Sequence, residues 1–143
     1  MLRKFLCALL FAAPATAFGD EAHIVAFDGS FDDATFAVES AIIGQGLVID
    51  YVSHVGDMLK RTGGDVGSDK VLFTNADIFV FCSAVISREV MEEDPLNIAH
   101  CPYGIFVTET PDGVAIGRRD YPAGPMDKVE ALLDAIIADA AGS

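Results

Sequence analysis

The sequence predicts a single domain with an α+β fold. Two stretches carry apolar residues at helical spacing, one towards each end of the chain. Between them lie short apolar runs at residues 78–81, 104–107 and 114–116, which are typical of strands. A turn at residues 111–113 joins the last two strands as a hairpin. Helices that are separate from such short strands indicate an α+β domain.

The first predicted helix follows a strand at residues 23–27. Ser30 precedes the helix and Asp33 stands three residues later, as in a capping box, where a hydroxyl and a carboxylate satisfy free amides of the first turn. Gly46 is suited to end the helix because glycine adopts the left-handed conformation found there. The apolar stripe consists of Phe31, Ala34, Val38, Ala41 and Ile42.

The remaining helices are predicted from stripes, caps and breakers. A short helix covers residues 54–62. Ser87 caps a second one at about residues 88–93, which Asp94-Pro95 terminates. Pro125 opens the C-terminal helix, which is the clearest in the chain. Its apolar stripe, which we expect to pack on the sheet, consists of Met126, Val129, Leu133, Ile136, Ile137 and Ala140.

The remaining strands are predicted from β-rich runs between turn residues. The continuous apolar run at residues 78–81 indicates a strand that is covered on both faces or lies at a subunit contact. These strands cover residues 47–52, 71–73, 76–84, 102–108 and 114–118.

The N-terminus has the three regions of a secretory signal peptide. Arg3 and Lys4 precede an apolar run at residues 5–13, and a small-residue cleavage pattern ends at Ala17. The run is far shorter than the roughly 20 residues of a membrane span. We therefore expect cleavage after Ala17, a periplasmic location, and a single domain at residues 18–143 with no membrane span.

The mature chain is strongly acidic. Removal of Arg3 and Lys4 from the 9 basic residues leaves 7 against 22 acidic ones, a formal charge of −15. Such a charge disfavours nucleic acid and anionic lipid as partners and favours solubility.

Cys82 and Cys101 are the cysteines that remain after cleavage. Exported thiols are usually oxidised, so a structural disulfide is the leading interpretation. Buried reduced thiols, a metal or haem site, and a redox-active pair remain open as alternatives. A bond needs Cα atoms within about 7 Å. Antiparallel pairing of the two neighbouring strands would bring the cysteines together, whereas a parallel crossover would separate them.

Several blocks of the sequence form a recognisable set: residues 81–84, Ser87, Asp94-Pro95, Asn97-Ile98, Cys101-Pro102-Tyr103, Arg118-Arg119 and the closing helix. Over roughly residues 24–140, these blocks resemble the family called domain of unknown function 302. The resemblance implies a compact fold in which a helix precedes a curved, mostly antiparallel sheet and a second helix closes it, with a short helix between the two cysteine-bearing strands. It also implies a homodimer, but no reaction.

Two functional hypotheses follow. The favoured one is a non-enzymatic periplasmic binding or assembly domain, which acts as a homodimer and takes a small ligand or a protein partner. The alternative is a redox or metal- or haem-handling protein that uses Cys82, Cys101 and His100. No catalytic constellation is recognisable, and the sequence specifies no cofactor or metal. The expected site consists of Cys82, His100, Cys101, Tyr103 and Arg119.

Overall fold

The computed structural model describes residues 21–142. The predicted signal peptide, residues 1–17, lies outside the described residues. Within the described range, every helix is too short or too polar to cross a membrane.

The described chain contains five strands and four α-helices, in the order β1-α1-β2-α2-β3-α3-β4-β5-α4. Two short 3-10 turns lie at Gly64–Val66 and Pro95–His100. The strands are β1 (Ala22–Phe27), β2 (Ile49–Ser53), β3 (Asn75–Phe81), β4 (Tyr103–Thr110) and β5 (Gly113–Arg119). The helices are α1 (Phe31–Gly44), α2 (Val55–Thr62), α3 (Ala84–Glu93) and α4 (Asp127–Ala141).

The strands form one sheet in the order β1-β5-β4-β3-β2, and all four pairings are antiparallel. The α+β prediction is therefore confirmed. In the β3–β4 pair, Phe81 lies opposite Tyr103. Because Cys82 follows Phe81 and Cys101 stands two residues before Tyr103, the antiparallel pairing brings the two cysteines to the same end of the sheet.

Helices α1 and α4 pack against each other and against one face of the sheet. All six residues of the predicted C-terminal stripe are buried. They meet Phe79 and Phe81 of β3, Ile105 of β4 and Ile116 of β5 in a single core. Burial of these side chains is the main favourable contribution to the stability of the fold.

The predicted capping box of α1 is present. The Ser30 hydroxyl accepts a hydrogen bond from the Asp33 amide at 3.1 Å, and the Asp33 carboxylate accepts one from the Ser30 amide at 3.3 Å. Hydrogen bonds from Ser30 hold the pKa of the Asp33 carboxyl below its usual value. Gly46 has φ 74°, as expected for the glycine that follows the helix.

Two local predictions are wrong. Ser83, and not Ser87, caps α3, because its hydroxyl accepts a hydrogen bond from the Ile86 amide at 3.3 Å. Residues 71–73 form no strand, since the sheet pairing on this side begins at Thr74, whose amide donates to the Glu109 carbonyl at 2.8 Å.

The second face of the sheet is largely uncovered, because α1 and α4 lie on the first and α2 packs only near the start of β3. Arg119 is the only charged residue at positions of this face in β1, β3, β4 and β5, and its side chain turns towards His100 and Tyr121. The positions are otherwise small or apolar: Ala22, Ile24, Ala26, Ala76, Ile78, Val80, Gly104, Phe106, Thr108, Thr110, Gly113, Ala115 and Gly117.

Candidate functional site

The cysteine-bearing end of the sheet brings all five predicted site residues together. It is built where β3 ends, where β4 begins and where β5 ends, with α3 beside it. We call this group the cysteine cluster, and it consists of Cys82, Ser87, His100, Cys101, Tyr103, Arg119 and Tyr121.

The two thiols lie side by side. The Sγ atoms of Cys82 and Cys101 are 2.9 Å apart, and both cysteines are free and partly buried. Burial, followed by the hydrogen bond with Cys101, raises the pKa of the Cys82 thiol to about 12. Cys82 is therefore almost entirely protonated at neutral pH, which makes it a weak nucleophile. The predicted closeness of the cysteines is confirmed, and the covalent bond stays a prediction.

Ser87 connects the thiols to Tyr103. Its hydroxyl is 2.9 Å from the Tyr103 hydroxyl and 4.0 Å from the Cys101 sulfur. Burial raises the pKa of Tyr103, so the phenol stays neutral. Ser87 therefore has a role within the cluster in place of the predicted helix cap.

Arg119 and His100 form the outer edge of the cluster. The Arg119 guanidinium donates to the His100 carbonyl at 3.2 Å, and its central carbon lies 4.8 Å from the centre of the Tyr121 ring. The His100 ring meets the edge of the same tyrosine at 6.0 Å between centres. Because a guanidinium has five N–H donors, Arg119 keeps donors free for a ligand.

Tyr121 was not among the predicted site residues. Its side chain is 8% exposed, and its ring meets the Tyr103 ring edge-on at 6.3 Å. Its hydroxyl is buried and has no hydrogen-bond partner within the described part of the chain. A buried hydroxyl without a partner costs free energy. Tyr121 lies in the loop after β5, where no periodic pattern marks it.

Arg118, unlike Arg119, is fully engaged within the protein. Its guanidinium binds both oxygens of Asp134, at 2.6 and 3.0 Å, and also the carboxylates of Glu130 and Asp120. Glu130 accepts a further hydrogen bond from the Tyr121 amide at 2.9 Å. Of the two arginines, Arg118 therefore fixes α4 and the Tyr121 loop, and Arg119 is available to a ligand.

The cysteine cluster supplies few ligands for a metal ion. Within residues 21–142, no three side chains of His, Cys, Asp or Glu are grouped so that they could hold one. The His100 ring packs on Tyr121, and no described contact joins it to either sulfur.

The fold and the site define a small α+β protein whose antiparallel sheet carries a cysteine pair at one end. A model of the family Domain of unknown function DUF302 matches residues 23–138, so the chain belongs to this family. The fold is similar to that in the crystal structure of an uncharacterised conserved protein DUF302 from Bacillus stearothermophilus. The TM-score is 0.63 and the identity 16%, over 87% of this chain and 98% of that chain. No curated protein matches the sequence significantly.

Proposed function

We propose that the chain is an exported, non-enzymatic binding domain whose site is the cysteine cluster. The observation that carries this proposal is the exposed Arg119 guanidinium, which donates to the His100 carbonyl and lies over the Tyr121 ring. An incoming group with acceptor oxygens can pair with the N–H donors that the His100 carbonyl leaves free.

The ligand group that fits the cluster best is a carboxylate or a phosphate. Arg119 offers a planar set of donors that pairs with such groups, and its central carbon lies 4.8 Å from the centre of the Tyr121 ring. The surplus of acidic residues opposes anions at long range. At physiological ionic strength this repulsion is screened beyond about 8 Å, so the local arginine dominates.

Thermal unfolding in the presence of succinate or inorganic phosphate tests the ligand proposal. A ligand at about 100 times its Kd stabilises the folded state by about 2.7 kcal/mol, so the Tm should rise with at least one of the two probes. Arg119→Gln should reduce that rise.

Arg88→Gln is the matched control, because Arg88 is exposed on α3 and pairs only with Glu92 among the described residues. The control should keep the full rise in Tm. A wild-type protein that responds to neither probe, or an Arg119→Gln variant with the full response, would argue against the proposed site.

We further propose that the exported protein is a homodimer that pairs through the uncovered face of the sheet. In β1, β3, β4 and β5, this face is uncharged apart from the end of β5, although the chain has 22 acidic residues. Ile24 on this face is 58% exposed. Sheets with small and apolar residues pack closely face to face, and a twofold axis would pair the face with itself.

Ile24→Asp should convert the dimer into a monomer, since it places two like charges against the same apolar surface. The side chain is exposed in the single chain, so the variant should still fold. Val85→Asp is the control, because Val85 is 68% exposed on α3, away from the sheet face. Light scattering with size-exclusion chromatography gives the masses. A dimeric Ile24→Asp variant, or a monomeric wild-type protein, would contradict the proposed interface.

The redox alternative has one observation in its favour, which is the 2.9 Å separation of the two sulfurs. Neighbouring thiols can reduce a partner's disulfide to two thiols by thiol–disulfide exchange, and the two electrons come from formation of a disulfide between the neighbouring thiols. A redox protein would cycle under mild reductant, whereas a structural disulfide would resist it. Thiol titration therefore separates a binding domain with a structural disulfide from a redox protein. A stoichiometric metal or haem would indicate a metal- or haem-handling protein.

A further inference from the structure

A groove lies between helix α2 and the segment that follows it, residues 63–74. Its volume is about 500 Å³, which falls within the range of small-molecule sites in proteins. The groove and the cysteine cluster lie at opposite ends of β3, since Thr74 precedes the strand and Cys82 follows it. Seven residues of strand place the two sites roughly 20 Å apart.

The outer wall of the groove has a defined backbone. The Ser68 amide donates to the Gly63 carbonyl at 2.9 Å, and the Gly67 amide donates to the Gly64 carbonyl at 3.2 Å. Gly67 has φ 72°, a conformation that favours glycine. These bonds shape residues 63–68 into a compact turn beside α2.

The groove presents apolar side chains that the described chain leaves uncovered. Val71 is 81% exposed and Leu72 is 50% exposed, and both line the groove with Leu59 and Phe73. Consecutive exposed apolar residues beside a concave surface are typical of a binding site, whereas isolated ones are common on any protein surface.

Two lysines border the same groove, Lys60 from α2 and Lys70 from the following segment. Neither forms an ion pair with a carboxylate among residues 21–142, although the chain has a large excess of acids. By contrast, Arg88, Arg118 and Lys128 are all paired with carboxylates. Asp69 also lines the groove, so its rim keeps a surplus of one positive charge.

We propose that this groove binds an amphiphile with one alkyl chain and an anionic head group, such as a long-chain fatty acid. The alkyl chain would cover Val71 and Leu72, and the head group would pair with Lys60 and Lys70. Lysine stems also suit this role because their methylene groups pack on an alkyl chain while the ammonium group stays in water. The site is independent of the function proposed for the cysteine cluster.

Fluorescence titration with cis-parinaric acid, a fluorescent long-chain fatty acid, tests this site on the mature chain below the micelle concentration. The emission should rise to saturation at one ligand per chain, and palmitate should displace the probe. The double variant Lys60→Met, Lys70→Met should weaken binding about tenfold, because it removes charge-assisted contacts to the head group. Leu72→Asp should also weaken binding, and its exposed position leaves the fold intact.

Lys128→Met is the matched control, because it removes one lysine charge from α4 and should leave the affinity unchanged. Hexadecanol has the same alkyl chain as palmitate without the charge, and it should displace the probe only weakly. The proposal is overturned if no saturable binding occurs. It is also overturned if the double lysine variant binds as tightly as the wild-type protein, or if hexadecanol competes as well as palmitate.

Discussion

Arg118→Met should lower the free energy of unfolding by about 2 to 3 kcal/mol, because it removes charge-assisted hydrogen bonds to three carboxylates that are themselves partly exposed to solvent. The Arg118 side chain is almost fully buried and lies against three carboxylates. Without it, Asp120, Glu130 and Asp134 would repel one another at the junction of β5 and α4. Urea unfolding of both proteins at pH 7 measures the difference.

The stability that Arg118→Met loses should be smaller in acid, and the pKa of Asp134 gives the direction of this change. Its hydrogen bond with Arg118 holds the pKa of the carboxyl below its usual value in the folded state. A lowered folded pKa contributes stability above the unfolded pKa of about 4, and this contribution is lost as the pH falls through the folded value. The wild-type protein should therefore lose stability on acidification below about pH 4, and the difference from Arg118→Met should narrow.

Arg88→Met is the control for this pair of measurements. Arg88 and Glu92 form an exposed pair on α3, and such pairs contribute about 1 kcal/mol or less. A loss of similar size in the two variants would mean that Arg118 has no special role in joining β5 to α4.

Leu133→Ala should lower the free energy of unfolding by about 2 to 5 kcal/mol. Leu133 has no exposed surface, and it packs in the core formed by α1, α4 and the sheet. The substitution removes apolar contacts and leaves a cavity that the neighbouring side chains fill only in part. Leu96→Ala is the same change at a residue that is 76% exposed, and it should cost less than about 0.5 kcal/mol. Equal losses in the two variants would contradict the assigned core.

The sequence predicts well those features that depend on local pattern. The stripe of α4 and the Ser30–Asp33 capping box need only residue spacing, because helical periodicity and first-turn hydrogen bonds are local. The closeness of Cys82 and Cys101 was also predictable, since two cysteines next to strands meet if the strands pair in antiparallel fashion.

Other features depend on tertiary structure. The apolar run at residues 78–81 was compatible with a strand that is covered on both faces or with a strand that lies at a subunit contact. The packing of α1 and α4 on one face of the sheet shows that the other face is left open. Ser87 looked like a helix cap because serine favours that position, yet contact with Tyr103 gives it another partner. Tyr121 lies in a loop, and its ring is brought against Tyr103 and His100 only in the folded chain. The burial of its hydroxyl could therefore not be predicted from the sequence.

The most direct test of a binding role is thiol titration of the protein purified from the periplasm, together with its intact mass and its metal and haem content. We expect a mature chain that begins at Phe18, without free thiols, in which a Cys82–Cys101 disulfide resists mild reductant and no metal or haem is bound. Such a bond should stabilise the fold by about 3 kcal/mol on the entropic model. Two reactive thiols that cycle under mild reductant, or a stoichiometric metal or haem, would contradict a binding role and favour the redox or metal-handling alternative.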